Sequence, residues 1–93
     1  MRPGAYAPLL RQISGWKIEK TNPNKISRKF RFKNFKDAIK FVNKVASVAE
    51  REGHHPDFAI HYNRVVLTLW THAIGGLSQN DFILAAKINE IVA

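Results

Sequence analysis

The spacing of apolar and polar residues divides the chain into helices and strands. Tyr6-Ala7-Pro8-Leu9-Leu10-Arg11-Gln12-Ile13 reads as a short helix ended by Ser14-Gly15, with Pro8 tolerable in the first turn. Trp16 to Lys20 alternates apolar and polar, the period of a half-buried strand, and Thr21-Asn22-Pro23-Asn24 is a loop. Phe30 and Phe32 then share one face opposite Lys29, Arg31 and Lys33, which makes a second strand. From Phe35 to about Glu52 the period lengthens. Phe35, Ala38, Ile39, Val42, Val45, Ala46 and Ala49 recur at three and four residues, the spacing of one helix face. Phe41 and Val48 form a second, minor stripe, suited either to packing under a loop or to contact with another subunit.

Gly53 is placed to cap that helix, and Pro56 bars it from continuing. Asp57 to Tyr62 and Val65 to His72 are strand-like, with Asn63-Arg64 as a two-residue turn that lacks the usual glycine. In the second of these strands Val65, Leu67, Leu69 and Thr71 face one way, and Val66, Thr68, Trp70 and His72 the other. Ala73 to Leu77 is a loop. Ser78-Gln79-Asn80-Asp81 then has the capping spacing that opens a helix, which continues to about Val92 on Leu84, Ala85, Ile88 and Ile91. The order is α-β-β-α-β-β-α. It predicts an α+β fold in which three helices cover one face of a four-stranded antiparallel sheet.

At 93 residues, the chain is expected to form a single domain over 1–93. No apolar run reaches the ~20 residues that span a bilayer. Met1-Arg2-Pro3-Gly4 has no secretory character, so a cytoplasmic protein away from membranes is expected. The absence of cysteine excludes disulfides, thiolate chemistry and cysteine–zinc sites. A net charge of +8 raises nucleic acid as a partner. Ten of the basic residues lie between Lys17 and Lys44, so the charge belongs to the first half of the chain. The apparent aromatic platform, Phe30 and Phe32, faces away from Lys29, Arg31 and Lys33 and should be core. Nucleic acid is therefore not the expected principal partner.

All four histidines fall in the second half. A hairpin turning at Asn63-Arg64 would set residue 55 opposite residue 72, so His54, His55 and His72 should meet at one rim of the sheet, with Asp81 close by. Histidine, with an unperturbed pKa of ~6.5, both gives and takes protons near neutrality. Beside a carboxylate, such a group suits general acid–base catalysis. A metal centre is not expected, because neither HExxH nor a His-x-His pair is present. Asp81 could serve the site, the helix end, or both. His61, mid-strand, reads as structural or surface, and Glu50 as a solvated acid.

Taken together, Glu50-Arg51-Glu52-Gly53-His54-His55-Pro56, Tyr62, Thr71-His72, Gly75-Gly76-Leu77-Ser78 and Asp81 resemble the pterin-4a-carbinolamine dehydratases. In animals that family includes a dimerisation cofactor of a homeodomain transcription factor. The resemblance runs over about residues 9–92, and departs from the family at Ala73, where an acid is common. It implies dehydration of 4a-hydroxytetrahydropterin, the spent cofactor of aromatic amino acid hydroxylases, to quinonoid dihydropterin. On matching positions His54, His55 and His72 would be the acid–base set, and Asp81 would orient or hold the pterin. Pro56 belongs to the same site pattern. Exposed backbone at Trp70 and Thr71 would meet the pterin's amide edge. No metal or organic cofactor is implied. Relatives assemble through sheet edges and helices, so a homodimer or homotetramer is expected.

Overall fold

The computed structural model describes residues 5–92; the Met1–Gly4 segment considered above lies outside them. Three helices, α1 (Tyr6–Leu10), α2 (Phe35–Glu52) and α3 (Gln79–Val92), accompany four strands. The strands are β1 (Lys17–Glu19), β2 (Lys25–Arg31), β3 (Asp57–His61) and β4 (Arg64–Leu69). They form one antiparallel sheet in the order β1-β2-β4-β3. The α-β-β-α-β-β-α order is the expected one. Among the described residues no helix is long and apolar enough to cross a membrane.

Period-two patterning makes the sheet one-sided. Ile26 and Phe30 of β2 and Val65, Leu67 and Leu69 of β4 are buried against Ala38, Phe41, Val45, Leu84, Ala85 and Ile88 of the long helices. The opposite face carries Lys29, Arg31, Arg64, Val66 and Thr68, none of them buried. Asn34 caps α2 by accepting from the Asp37 amide at 2.9 Å, and Gly53 ends it at φ 63°, a left-handed conformation that costs glycine little. Gly15, at φ 87°, turns the chain where a Cβ would lie 2.6 Å from the Arg28 guanidinium. That closeness lets Arg28 reach Asn89 Oδ1 at 2.6 Å, while Trp16 Nε1 donates to the same oxygen at 2.8 Å. The first strand is thereby fastened to α3. Ser27 donates to Glu19 at 2.7 Å across β1 and β2, and this bond is the main reason the Glu19 carboxyl sits below its usual range.

Two expectations are corrected. Phe41 is not on a minor stripe: only 3% exposed, it packs its ring 4.7 Å from Phe30 and 4.9 Å from Phe32. Phe35, which the period placed inward, is 49% exposed. A helix ends on the sheet at an angle set by packing, so the buried stripe need not follow the largest set of apolar residues. Phe41 is therefore unavailable as a subunit contact. The second correction concerns the hairpin. Its register pairs His61 with Arg64 and Asp57 with Thr68, so the turn is Tyr62-Asn63. Tyr62 takes the left-handed conformation there (φ 53°), a residue type that rarely signals it. Residues across the hairpin are shifted by two, and continuing the register sets His55 beside Trp70 rather than His72.

Replacing Phe41 by alanine should cost about 3–5 kcal/mol in urea unfolding, the usual cost of emptying a core aromatic position. Phe35→Ala should change stability by no more than about 0.5 kcal/mol. The reverse ranking would contradict the placement of α2.

Candidate active site

Asp81 is the one fully buried carboxylate among the described residues. It sits three residues after Ser78, and the Ser78 amide donates to its Oδ2 at 2.9 Å, completing the side-chain half of a capping box. The positive end of the α3 dipole lies at the same place. Thr71 Oγ1 donates to Oδ2 at 2.9 Å, and its hydroxyl also lies 2.7 Å from Ser78 Oγ. The remaining oxygen, Oδ1, is 2.6 Å from His54 Nε2. Three partners thus satisfy a charge whose unpaired burial would be costly. An ionised carboxylate only accepts hydrogen bonds, so the network assigns the proton on His54 to Nε2. Nδ1 of the neutral ring then carries a free lone pair, with no partner among the described residues.

The other two histidines are held differently. His55 Nε2 lies 2.7 Å from Glu50 Oε1, on the last turn of α2, and both side chains are largely exposed. A shallow hollow of about 610 Å³ beside them is lined by Ala46, Glu50, Arg51, His55, Pro56 and Phe58. β4 stops at Leu69, short of the expected strand end, and His72 begins a 3₁₀ turn over His72–Ile74. Its ring packs against Trp70 with centroids 3.7 Å apart and the planes inclined by 37°. Lys25 Nζ lies 5.1 Å from the Trp70 ring. Thr71 pairs with Gly76 through its amide (2.8 Å) and its carbonyl (3.3 Å), which closes the glycine turn.

A family model for pterin 4 alpha carbinolamine dehydratase matches residues 2–91. The chain belongs to that family, whose members are hydro-lyases. It is similar to pterin-4-alpha-carbinolamine dehydratase 2, mitochondrial, of Arabidopsis thaliana, with 49% identity over 89% of this chain and 46% of that protein. The chain thus spans about half the length of that relative. A putative dehydratase of Sulfolobus acidocaldarius is 48% identical over 88% of this chain and 87% of its own length. Among solved structures, a transcriptional coactivator/pterin dehydratase from Brucella melitensis superposes with a TM-score of 0.93 at 34% identity, covering all of this chain and 98% of that one. A pterin dehydratase-like RuBisCO assembly factor of the alpha-carboxysome shares the fold, with a TM-score of 0.74 at 18% identity.

Set against the dehydratase pattern, the structure brings His54, Thr71, Ser78 and Asp81 into one bonded group, with His72 next in the chain to Thr71. His55 and Pro56 follow His54 directly, Pro56 buried and His55 exposed. Tyr62 stands apart at the far hairpin, 66% exposed. The expected backbone of Thr71 is already engaged by Gly76, so what Thr71 contributes is its hydroxyl. Two partners escaped the sequence reading. Glu50 holds His55, a contact legible only as a five-residue separation across a helix end. Thr71 Oγ1 reaches Asp81 through tertiary packing, for which no sequence signal exists. Asp81 fills both of its expected positions, at the helix cap and beside a histidine.

Asp81→Ala would strand the Ser78 amide, the Thr71 hydroxyl and His54 together. Urea denaturation should show a loss of about 3 kcal/mol or more, since each buried donor left unsatisfied costs about 1–3 kcal/mol. A loss under about 1 kcal/mol, the usual size of a helix-cap effect alone, would contradict the network.

Proposed function

We propose that this dehydratase-family chain dehydrates 4a-hydroxytetrahydropterin by histidine acid–base catalysis. The C4a–O bond breaks as the hydroxyl is protonated and leaves as water. The N5 proton is removed, and a C4a=N5 double bond forms to give quinonoid dihydropterin. His54, His55 and His72 supply the proton transfers, with no metal or organic cofactor. The observation that carries this reading is the 2.6 Å contact between His54 Nε2 and buried Asp81, which supports a fixed tautomer with Nδ1 presented as the working nitrogen. Asp81 is thereby a positioning residue for His54. His55 and His72 are more exposed, so both rings can meet a bound substrate, and Trp70 supports His72 from behind. The reaction would recycle the pterin cofactor of an aromatic amino acid hydroxylase in the cytoplasm.

An interaction module is the second reading, favoured by the fold's use in a protein described as a RuBisCO assembly factor. Turnover of a pterin carbinolamine decides between them. His54→Ala and His72→Ala should each lower the catalysed rate by about 10²–10⁴-fold once the background dehydration is subtracted. His72→Ala should stay folded, since that side chain is exposed, and His54→Ala should fold with reduced stability, since Asp81 keeps its bonds from Ser78 and Thr71; circular dichroism checks both before the rates are compared. Full activity in both would leave the interaction reading.

We also propose that the chain is a homodimer or homotetramer. β3 is an edge strand whose five residues are all exposed, with Phe58 and Ile60 each 38% exposed on the face that the helices only partly cover. An open, apolar edge is a liability in a monomer. Sedimentation at micromolar concentration should give a dimer or larger species, and Ile60→Lys should shift it toward monomer. A wild-type monomer would contradict the assembly.

A further inference from the structure

The end of the sheet farthest from Asp81 carries an arrangement that the dehydratase reading does not use. The last residue of β2, Arg31, pairs directly with the first residue of β4, Arg64, and Arg64 pairs with the last residue of β3, His61. Directly paired residues point to the same side of a sheet, with Cβ atoms about 4.5–5.5 Å apart. Arg31, Arg64 and His61 therefore form a row across three strands on the face without helices. Lys29, two residues before Arg31, lies on the same face opposite Val66. Together with Phe30 and Val66 these residues line a hollow of about 480 Å³, and no carboxylate lines it.

Like charges set directly opposite each other destabilise a sheet. Folded proteins commonly offset such a pair with a neighbouring acid, and this one does not. Among the described residues, Lys29, Arg31, His61 and Arg64 make no ion pair or side-chain hydrogen bond, and all four are exposed. The two acids elsewhere on this face are remote or engaged. Asp57 lies at the opposite end of β3, about 13 Å along the strand. Glu19 accepts from Ser27 and pairs with Lys17 at 3.5 Å. The backbone beneath the row is firmly held. Phe32 and Asn63 exchange two bonds, the Phe32 amide to the Asn63 carbonyl at 2.8 Å and Asn63 Nδ2 to the Phe32 carbonyl at 2.9 Å. The cations thus project from a pinned strand end and not from a loose loop.

We propose that Lys29, Arg31, His61 and Arg64 form a phosphate-binding site, separate from the Asp81 site and independent of the dehydratase reading. Two guanidinium forks can each present paired N–H donors to phosphate oxygens, the geometry for which arginine is chosen over lysine. Lys29 adds a point charge, and His61 a ring N–H donor. The ligand's charge supplies the counterion that the sheet itself omits. Neither Phe30 nor Phe32 is needed, because both serve the core and phosphate contacts require no base stacking. The phosphate can belong to a free oligophosphate or to a nucleic acid backbone. The neighbouring groove adds Lys40 and Lys44 of α2 to Arg28, Lys29 and Arg31, with Asp37 its one acid, so a chain of phosphates has room to extend over a surface that stays basic on balance.

The test uses the full chain with three probes: tripolyphosphate, an oligothymidylate of about 12 nucleotides, and polyglutamate of matched charge. Calorimetry compares the wild type with Arg31→Gln/Arg64→Gln and with Arg11→Gln/Lys20→Gln, which removes the same charge at a distance. The phosphate probes should bind at least about tenfold more weakly to the first variant, as expected for lost charge-assisted hydrogen bonds. The second should differ from wild type by less than about threefold. For oligothymidylate, the slope of log affinity against log salt should fall by about 0.7 for each arginine lost. Binding of both phosphate probes, or of either alone, supports the site and names the source. Urea unfolding of Arg31→Gln/Arg64→Gln should have its midpoint at or above that of wild type, since like charges have been separated. Pterin carbinolamine turnover by this variant should be unchanged. Equal losses in the two variants, equal binding of polyglutamate, or no binding of either phosphate probe would overturn the proposal.

Discussion

A carboxylate with no exposure to water must be paired, and much of the local architecture around Asp81 follows from that requirement. Its partners come from three places in the chain: the α3 cap at Ser78, the turn after β4 at Thr71, and the α2–β3 junction at His54. None of these segments is long enough to be rigid alone. Joined through one charge, they hold an imidazole at a fixed angle on the rim of the sheet. Helix capping and catalytic positioning are then not competing uses of Asp81. The helix end supplies one of the carboxylate's donors, and the carboxylate oxygen left over accepts from His54.

The sheet divides into two ends of different chemistry. At the start of β3 and beyond the end of β4 lie His54, His55 and His72, a glycine turn and three acids, Glu50, Asp57 and Asp81. At the β3–β4 turn lie Arg31, Arg64 and His61 without an acid. About five strand residues, roughly 17 Å, separate the two. The strong positive charge of the chain is therefore organised and not merely spread for solubility. A sheet that is covered by helices on one face leaves its other face free to carry such a row.

The element order was legible because each segment obeys its own period: Val65, Leu67 and Leu69 alternate inward, and Ala38, Val45 and Ala49 recur on one helix face. The caps at Gly53 and Ser78 were equally readable. The failures were of register and rotation. Tyr62 adopts a conformation that glycine or asparagine usually announces, so the hairpin turn read one residue too late, and the cross-strand pairing moved by two. Phe41 is core because β2 presents Phe30 and Phe32 to it, a fact of packing that α2 alone does not encode. In the site, Asp81 stood out through its capping spacing and the histidines through their motif. The Thr71 hydroxyl and the Glu50–His55 pair were hidden, since each depends on how separate elements meet.

The central claim is that Asp81 fixes His54 with its proton on Nε2 and its Nδ1 bare. Nitrogen-15 NMR of the imidazole side chains at pH 8, well above the ordinary histidine range of ~6.5, reads this directly. His54 in the wild-type protein should be the Nε2–H tautomer alone, and Asp81→Ala should show a mixture of the two tautomers. A proton on Nδ1 of wild-type His54 at that pH, with Nε2 bare, would contradict it.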